Sequence, residues 1–181
     1  RGLAFPYYSQ EAPGSSDGLP DGLAGEFAKR RLMRGGMAGT LPRAHQGLGV
    51  SMYAQVTSPL RRYGDLLAHQ QIRAALELSG AAPLPPDELS MRLARAQAGA
   101  QALRKAERNS ELHWSLAWLI KHPDWTGTGI VVQSGQDSLV YLSQLGMETR
   151  IKGHYELNEE KAMRFLKADL ARLEAAFSSD S

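Results

Sequence analysis

Thr57-Ser-Pro-Leu-Arg-Arg-Tyr-Gly-Asp-Leu-Leu-Ala-His69 places two cations at the start of an amphipathic helix. Thr57 or Ser58 reads as the N-cap and Pro59 as the first helical residue, since proline's missing N–H costs nothing there. Leu60, Tyr63, Leu66, Leu67, Ile72, Ala75 and Leu76 then recur at helical spacing, and Ser79-Gly80 closes the helix. Arg61 and Arg62 fall in the first turn, where the macrodipole already disfavours cations. Unpaired backbone N–H groups converge on the same place. An anion such as phosphate satisfies guanidinium groups, amides and dipole together. The alternative is that Asp65 pairs with Arg61 or Arg62 one turn on.

Upstream, acidic residues are absent from Phe27 to Gly64, a stretch that holds Lys29, Arg30, Arg31, Arg34, Arg43, Arg61 and Arg62. A segment of this kind suits a polyanion, or is a solvated surface. The overall charge of +2 says little by itself. Residues 1 to about 20 are rich in Pro, Gly and Ser and read as loop; Asp21 is placed to cap a helix through Phe27 to Met33, which Arg34-Gly35-Gly36 breaks. Residues 35–50 carry repeated glycine and proline and read as an ordered loop.

Downstream, Ala82-Pro-Leu-Pro-Pro86 is a stiff connector into a helix from about Pro86 to His122, roughly 50 Å long, with a stripe through Leu89, Leu93, Ala96, Ala100, Leu103, Ala106, Leu112, Leu116 and Leu119. Pro123 closes it. Past Trp125 the pattern becomes strand-like. Ile130–Val132 and Leu139–Leu142 flank a turn at Ser134–Asp137, and Met147–Lys152 is a third strand. Leu157 to Phe177 has strong helical propensity, with Asn158 as cap; a weaker alternation runs through Met163, Phe165 and Lys167.

Composition narrows the chemistry. The absence of cysteine excludes disulfides, thiolate zinc sites and a cysteine nucleophile. His45, His69, His113 and His122 lack metal-ligand spacing, and His154 sits in a loop. The longest apolar stretch, Trp114 to Ile120, is far short of the ~20 residues that span a bilayer. No membrane association is expected, and the expected location is cytoplasmic. The sequence opens at Arg1, inside the apolar run Leu3-Ala-Phe-Pro6, and is expected to be a piece of a longer protein.

The run from Thr57 to His69 resembles the signature that ends the RNB (ribonuclease II-like) exoribonuclease domain, Thr-Ser-Pro-Ile-Arg-Arg/Lys-Tyr-x-Asp-Leu-x-x-His, with Leu60 in place of isoleucine. His45-Gln-Gly-Leu-Gly49 and Tyr53 resemble its lead-in. Phe5-Pro-Tyr-Tyr-Ser9 resembles an apolar strand after which the family often carries a histidine, where Ser9 or Gln10 stands here. Lys105-Ala-Glu-Arg108 resembles a segment with a functional glutamate. The resemblance implies an α+β chain, with a helix-rich C-terminal part of an RNB catalytic domain at 1–123 and an OB-like RNA-binding barrel at 124–181. Tertiary pairing would then override the helical propensity of Lys161 to Leu173.

It further implies 3′-to-5′ hydrolysis of single-stranded RNA, releasing nucleotides processively with Mg²⁺. Arg61 would neutralise charge at the phosphate and Glu107 would support catalysis. Arg62, Tyr63, Ser58, His45, Tyr53 and Tyr141 would bind RNA. The aspartates that hold Mg²⁺ match nothing in this sequence and are expected in an N-terminal part of the same enzyme; this chain alone is expected to be inactive. DNA is not the expected main substrate. Each assignment has a plainer rival. Glu107 serves equally as an intrahelical ion-pair partner and Ser58 as a cap; Trp114 and Trp118 offer rings for base stacking, but at helical spacing they read as core. Two other readings remain: a non-catalytic RNA-binding relative, and an unrelated helical interaction module.

Overall fold

The computed structural model describes residues 2–78 and 80–179. Its elements are β1 (Tyr7–Ser9), α1 (Gly22–Leu32), β2 (Met37–Gly39), a 3-10 turn (Gln46–Leu48), α2 (Tyr63–Ala75), α3 (Pro86–Lys121), β3 (Thr126–Gln133), β4 (Asp137–Leu142), β5 (Met147–Lys152), β6 (Glu160–Asp169) and β7 (Glu174–Ser179). This is a mixed α+β chain. It folds into two compact units. One comprises the described residues up to Gly14 together with Met33–Arg104; the other comprises Ser15–Leu32 and the described residues from Lys105 onward.

In the first unit, Leu67, Leu84, Leu89 and Leu93 are buried against one another. Gln71, also buried, ties this core to two loops. Its Nε2 donates to the Ala4 carbonyl at 2.7 Å and the Leu84 carbonyl at 3.2 Å, and its Oε1 accepts from the Leu84 N–H at 2.8 Å. β1 and β2 pair antiparallel, with Tyr8 opposite Ala38 and Ser9 opposite Met37. The long loop expected over 35–50 thus contains β2 and the 3-10 turn.

α2 begins later than the Ser-Pro signal suggests. Its N-cap is Arg62, in extended conformation, so Arg61 and Arg62 precede the first turn instead of occupying it. The cause is Asp65. Its carboxylate turns back to accept the Ser58 N–H at 2.8 Å, which holds 58–61 in a separate turn closed by the Arg61 and Arg62 N–H groups on the Ser58 carbonyl. Leu60 is consequently fully exposed, and Leu66, Ile72 and Leu76 also face solvent while Leu67, Ala68 and Gln71 are buried. α2 ends at Ala75; of the predicted stop, Ser79 lies outside the described residues.

α3 matches its predicted span to within a residue. Its stripe is buried only near the ends, at Leu89 and Leu93 and again at Leu116 and Leu119, while Leu103 is exposed. Trp114 and Trp118, expected in the core, are 69% and 45% exposed, and Trp118 stacks on His122 at 4.1 Å.

In the second unit the strand order is β5-β4-β3-β6-β7, all neighbours antiparallel. β5 and β7 approach each other, so the sheet curls into a nearly closed five-stranded barrel. Leu116, Leu119, Val131, Val140, Leu142, Ile151, Met163, Phe165 and Phe177 fill it. The helical propensity of 161–173 loses to this core. Met163 and Phe165 point inward at period two. The alternation fails at Lys167 because the register with β7 shifts between Phe165 and Lys167. Asn158 caps no C-terminal helix. At φ 65° it accepts the Ala24 N–H on Oδ1 at 2.8 Å and donates Nδ2 to the Asp21 carbonyl at 2.7 Å, capping α1 in place of the predicted Asp21 side chain.

Candidate functional site

The turn at 58–61 and the start of α2 form one wall of an open cavity of about 560 Å³ in the first unit. β1, β2, the 45–55 segment and residues 93–104 of α3 complete it. Three arginines line it, Arg61, Arg62 and Arg104, and no acid does. Tyr8, His45 and Tyr63 add rings, and Gln55 and Gln97 add amides.

The two neighbouring arginines are in different states. Arg62 is committed to Asp65: its Nε and Nη2 donate to Asp65 Oδ2 at 3.1 and 2.8 Å, and Nη2 also donates to Thr57 Oγ1 at 3.1 Å. Asp65 is fully buried, and this pair with the Ser58 N–H offsets the cost of its charge on Oδ2. Its Oδ1 has no hydrogen-bond partner among the described residues. Arg61 has neither an ion pair nor a hydrogen bond to its side chain among the described residues, and it is exposed at the cavity wall. The ion-pair alternative is therefore realised on Arg62, and Arg61 is left unpaired among the described residues.

The rings are held by packing. Gly64 passes so close to Tyr8 that an added Cβ would lie 2.0 Å from the tyrosine oxygen, so only glycine lets Tyr8 lie over the start of α2. Burial, then the Asp65 charge, pushes the Tyr8 hydroxyl above its ordinary pKa, which keeps it a neutral donor. His45 meets Tyr53 edge to face at 5.3 Å, and its buried Nδ1 lacks a hydrogen-bond partner among the described residues. The Tyr63 hydroxyl is within 3.4 Å of Arg92, which also pairs with Glu88.

Of the residues singled out from sequence, Arg61, Arg62, Tyr63 and His45 line the one cavity, and Tyr53 packs edge to face on His45. Ser58 contributes its backbone N–H to Asp65 and is not a side-chain cap, since the cap residue is Arg62 and carries no side-chain cap bond. Glu107 is exposed on α3, three residues beyond Arg104, with no ion-pair partner among the described residues. Tyr141 sits half-buried on β4, opposite Ile130 and Glu148, in the barrel unit. Tyr8 and Arg104 were missed as site residues. No local motif marks either one, because strand pairing and the helix path bring them in.

No group of three or more His, Asp or Glu able to hold a metal occurs among the described residues. The cavity lining offers cations, amides and phenols where Mg²⁺ requires several oxygen anions, so these residues do not fit that ion. No helix is long and apolar enough to cross a membrane.

A family model described as the RNB domain matches residues 24–78. An uncharacterized ribonuclease of Synechocystis is 30% identical over 158 residues, covering 81% of this chain and 23% of that protein. Exoribonuclease 2 of Shigella flexneri is 32% identical over 122 residues, 67% of this chain and 17% of that protein. The chain thus spans about a quarter or less of the length of these curated relatives. RNase R of Mycoplasma genitalium, solved with ribose-methylated single-stranded RNA, shares the fold at a TM-score of 0.79 and 14% identity over 98% of this chain and 38% of its own. The Dss1 exoribonuclease of Candida glabrata does so at 0.79 and 16%, over 96% and 25%. On the Arg61 signature, the family match that encloses it and the shared fold, this chain belongs to the RNB family.

Proposed function

We propose that this chain is the part of a 3′-to-5′ exoribonuclease that seats the 3′ end of single-stranded RNA, with a phosphodiester against Arg61. The observation that carries the reading is the cavity with three arginines and no acid among the described lining residues, in which Arg61, unlike Arg62, has no side-chain partner among the described residues. A guanidinium held there meets phosphate oxygens in bidentate fashion, and the contact strengthens as negative charge builds on them. Arg62 stays with Asp65 and fixes the turn that presents Arg61. Tyr8, Tyr63 and His45 give faces on which unpaired bases stack without sequence preference. Processive release fits a site that grips backbone and base faces only.

Support also comes from the relatives, whose names state ribonuclease and exoribonuclease activity, and from the RNA-bound RNase R of M. genitalium. Glu107 joins the proposal on its motif alone. Mg²⁺ would be held by carboxylates of the whole enzyme that lie outside this cavity.

The test is single-turnover hydrolysis of saturating single-stranded RNA by the whole enzyme carrying Arg61→Ala. We expect the rate to fall by about 10²–10³-fold, the usual loss for one donor to a developing oxyanion, with a smaller change in RNA affinity. An unchanged rate removes Arg61 from the chemistry and favours a non-catalytic RNA-binding role.

A further inference from the structure

A second cavity of about 420 Å³ lies in the same unit, lined by Ser9–Ala12, Arg34, Gly35, Met37 and the 43–46 segment. Two arginines, Arg34 and Arg43, line it against one acid, Glu11. Neither guanidinium has an ion-pair or hydrogen-bond partner among the described residues, and both side chains are exposed.

Gln10 fixes the walls. Its Nε2 donates to the Arg34 carbonyl at 2.7 Å, its N–H to the Ala44 carbonyl at 3.2 Å, and its carbonyl accepts the Gln46 N–H at 3.0 Å. Gly47 leaves it room, since a Cβ there would stand 2.3 Å from Gln10 Oε1. Two like charges are thus placed around one concavity by a built backbone framework, and a polyanion relieves their repulsion.

The position relative to the Arg61 cavity follows from strand geometry. Successive side chains of a strand face opposite sides. The paired residues Tyr8 and Ala38 line the Arg61 cavity, and the next pair, Ser9 and Met37, lines the second one. The cavities therefore occupy opposite faces of the β1–β2 ribbon. His45 reaches the first while Ala44 and Gln46 border the second. A single strand that ends in one must pass round the ribbon to reach the other.

Resting on the function proposed above, we infer that the Arg34–Arg43 cavity is a second phosphate subsite, binding a more distal phosphodiester of the same RNA strand whose 3′ end occupies the Arg61 cavity.

The experiment is fluorescence anisotropy with a labelled dinucleotide and a labelled decanucleotide, titrated against this chain over a range of salt. The variants are Arg34→Gln/Arg43→Gln, Arg34→Lys/Arg43→Lys and Arg61→Ala. All three sites are exposed, and unchanged melting curves would certify folding. The double Gln variant should bind the decanucleotide about 10-fold more weakly. Its log-affinity against log-salt slope should become shallower by about 1.4, two single-strand contacts at roughly 0.7 each. Its dinucleotide affinity should stay at the wild-type value, and the double Lys variant should keep the wild-type slope.

Unchanged decanucleotide binding and slope in the Gln variant overturns the subsite while leaving the Arg61 reading intact, provided Arg61→Ala weakens both ligands. Equal loss for both ligands overturns the path round the ribbon. Inorganic pyrophosphate that binds wild type and not the Gln variant, with the decanucleotide unaffected, makes the cavity a free-anion site and likewise overturns the inference. Arg61→Ala without effect on either ligand contradicts the functional reading, and the subsite falls with it.

Discussion

Arg61 and Arg62 are identical neighbours with opposite fates, and the difference lies in one carboxylate. Asp65 is three residues from Arg62 and four from Arg61, both within reach on a helix. Because the helix starts only at Tyr63, the Asp65 side chain turns back over the preceding turn and captures Arg62 and the Ser58 N–H. The two substitutions should therefore separate stability from function. Arg62→Ala removes both guanidinium hydrogen bonds from a fully buried carboxylate, and it should lower unfolding free energy by about 2–3 kcal/mol. Arg61→Ala removes a side chain with no partner among the described residues and should stay within about 0.5 kcal/mol of wild type. Urea unfolding decides the matter, and equal losses would mean that Arg61 is structural after all. The sequence made both arginines legible as an anion site and Asp65 legible as a competitor. Which arginine Asp65 takes depends on where the helix begins, and the Ser-Pro pair misplaces that start.

The elements that sequence read well are those whose local preference agrees with their surroundings. α3 has few breakers and a stiff Pro-rich lead, and β5 occupies its predicted span, Met147–Lys152. The elements read less well are decided by partners distant in the chain. Lys161 to Leu173 prefers helix locally and becomes strand as far as Asp169, then a turn, because β3 and β7 pair with β6 on both sides and the barrel core takes Met163 and Phe165. Asn158 has the composition of a helix cap and is one, but for α1, 134 residues away. Two contributions are combined there: the cap bond and a left-handed backbone that asparagine tolerates. Asn158→Ala should lose both, about 2 kcal/mol, whereas Asn158→Gly loses the cap and keeps the backbone, about 1 kcal/mol. Thermal melts of the two variants side by side measure this. Indistinguishable midpoints would show that the positive φ contributes nothing.

At the scale of the whole molecule, two cores in two units divide the work. One builds the arginine cavity, and the other is a barrel whose strand order could not be read from three strand-like runs. Tyr8 and Arg104 entered the site only through this assembly, so no motif announced them. The described residues offer no oxygen-rich cluster for a divalent cation, and hydrolysis should therefore fail in this chain by itself. End-labelled single-stranded RNA with Mg²⁺ should remain intact beside an active whole enzyme, and mononucleotide release from the chain would place a metal site in it. The central claim, that the arginine cavity receives the 3′ end, is tested most directly by photo-crosslinking. A single-stranded RNA bearing 4-thiouridine at its 3′-terminal position is irradiated on the protein, and the adducts are located by mass spectrometry. The account predicts adducts on the cavity segments around Tyr8, His45, Tyr63 and residues 93–104, lost in Arg61→Ala. Adducts confined to the barrel strands, or an unaltered pattern in Arg61→Ala, would contradict it.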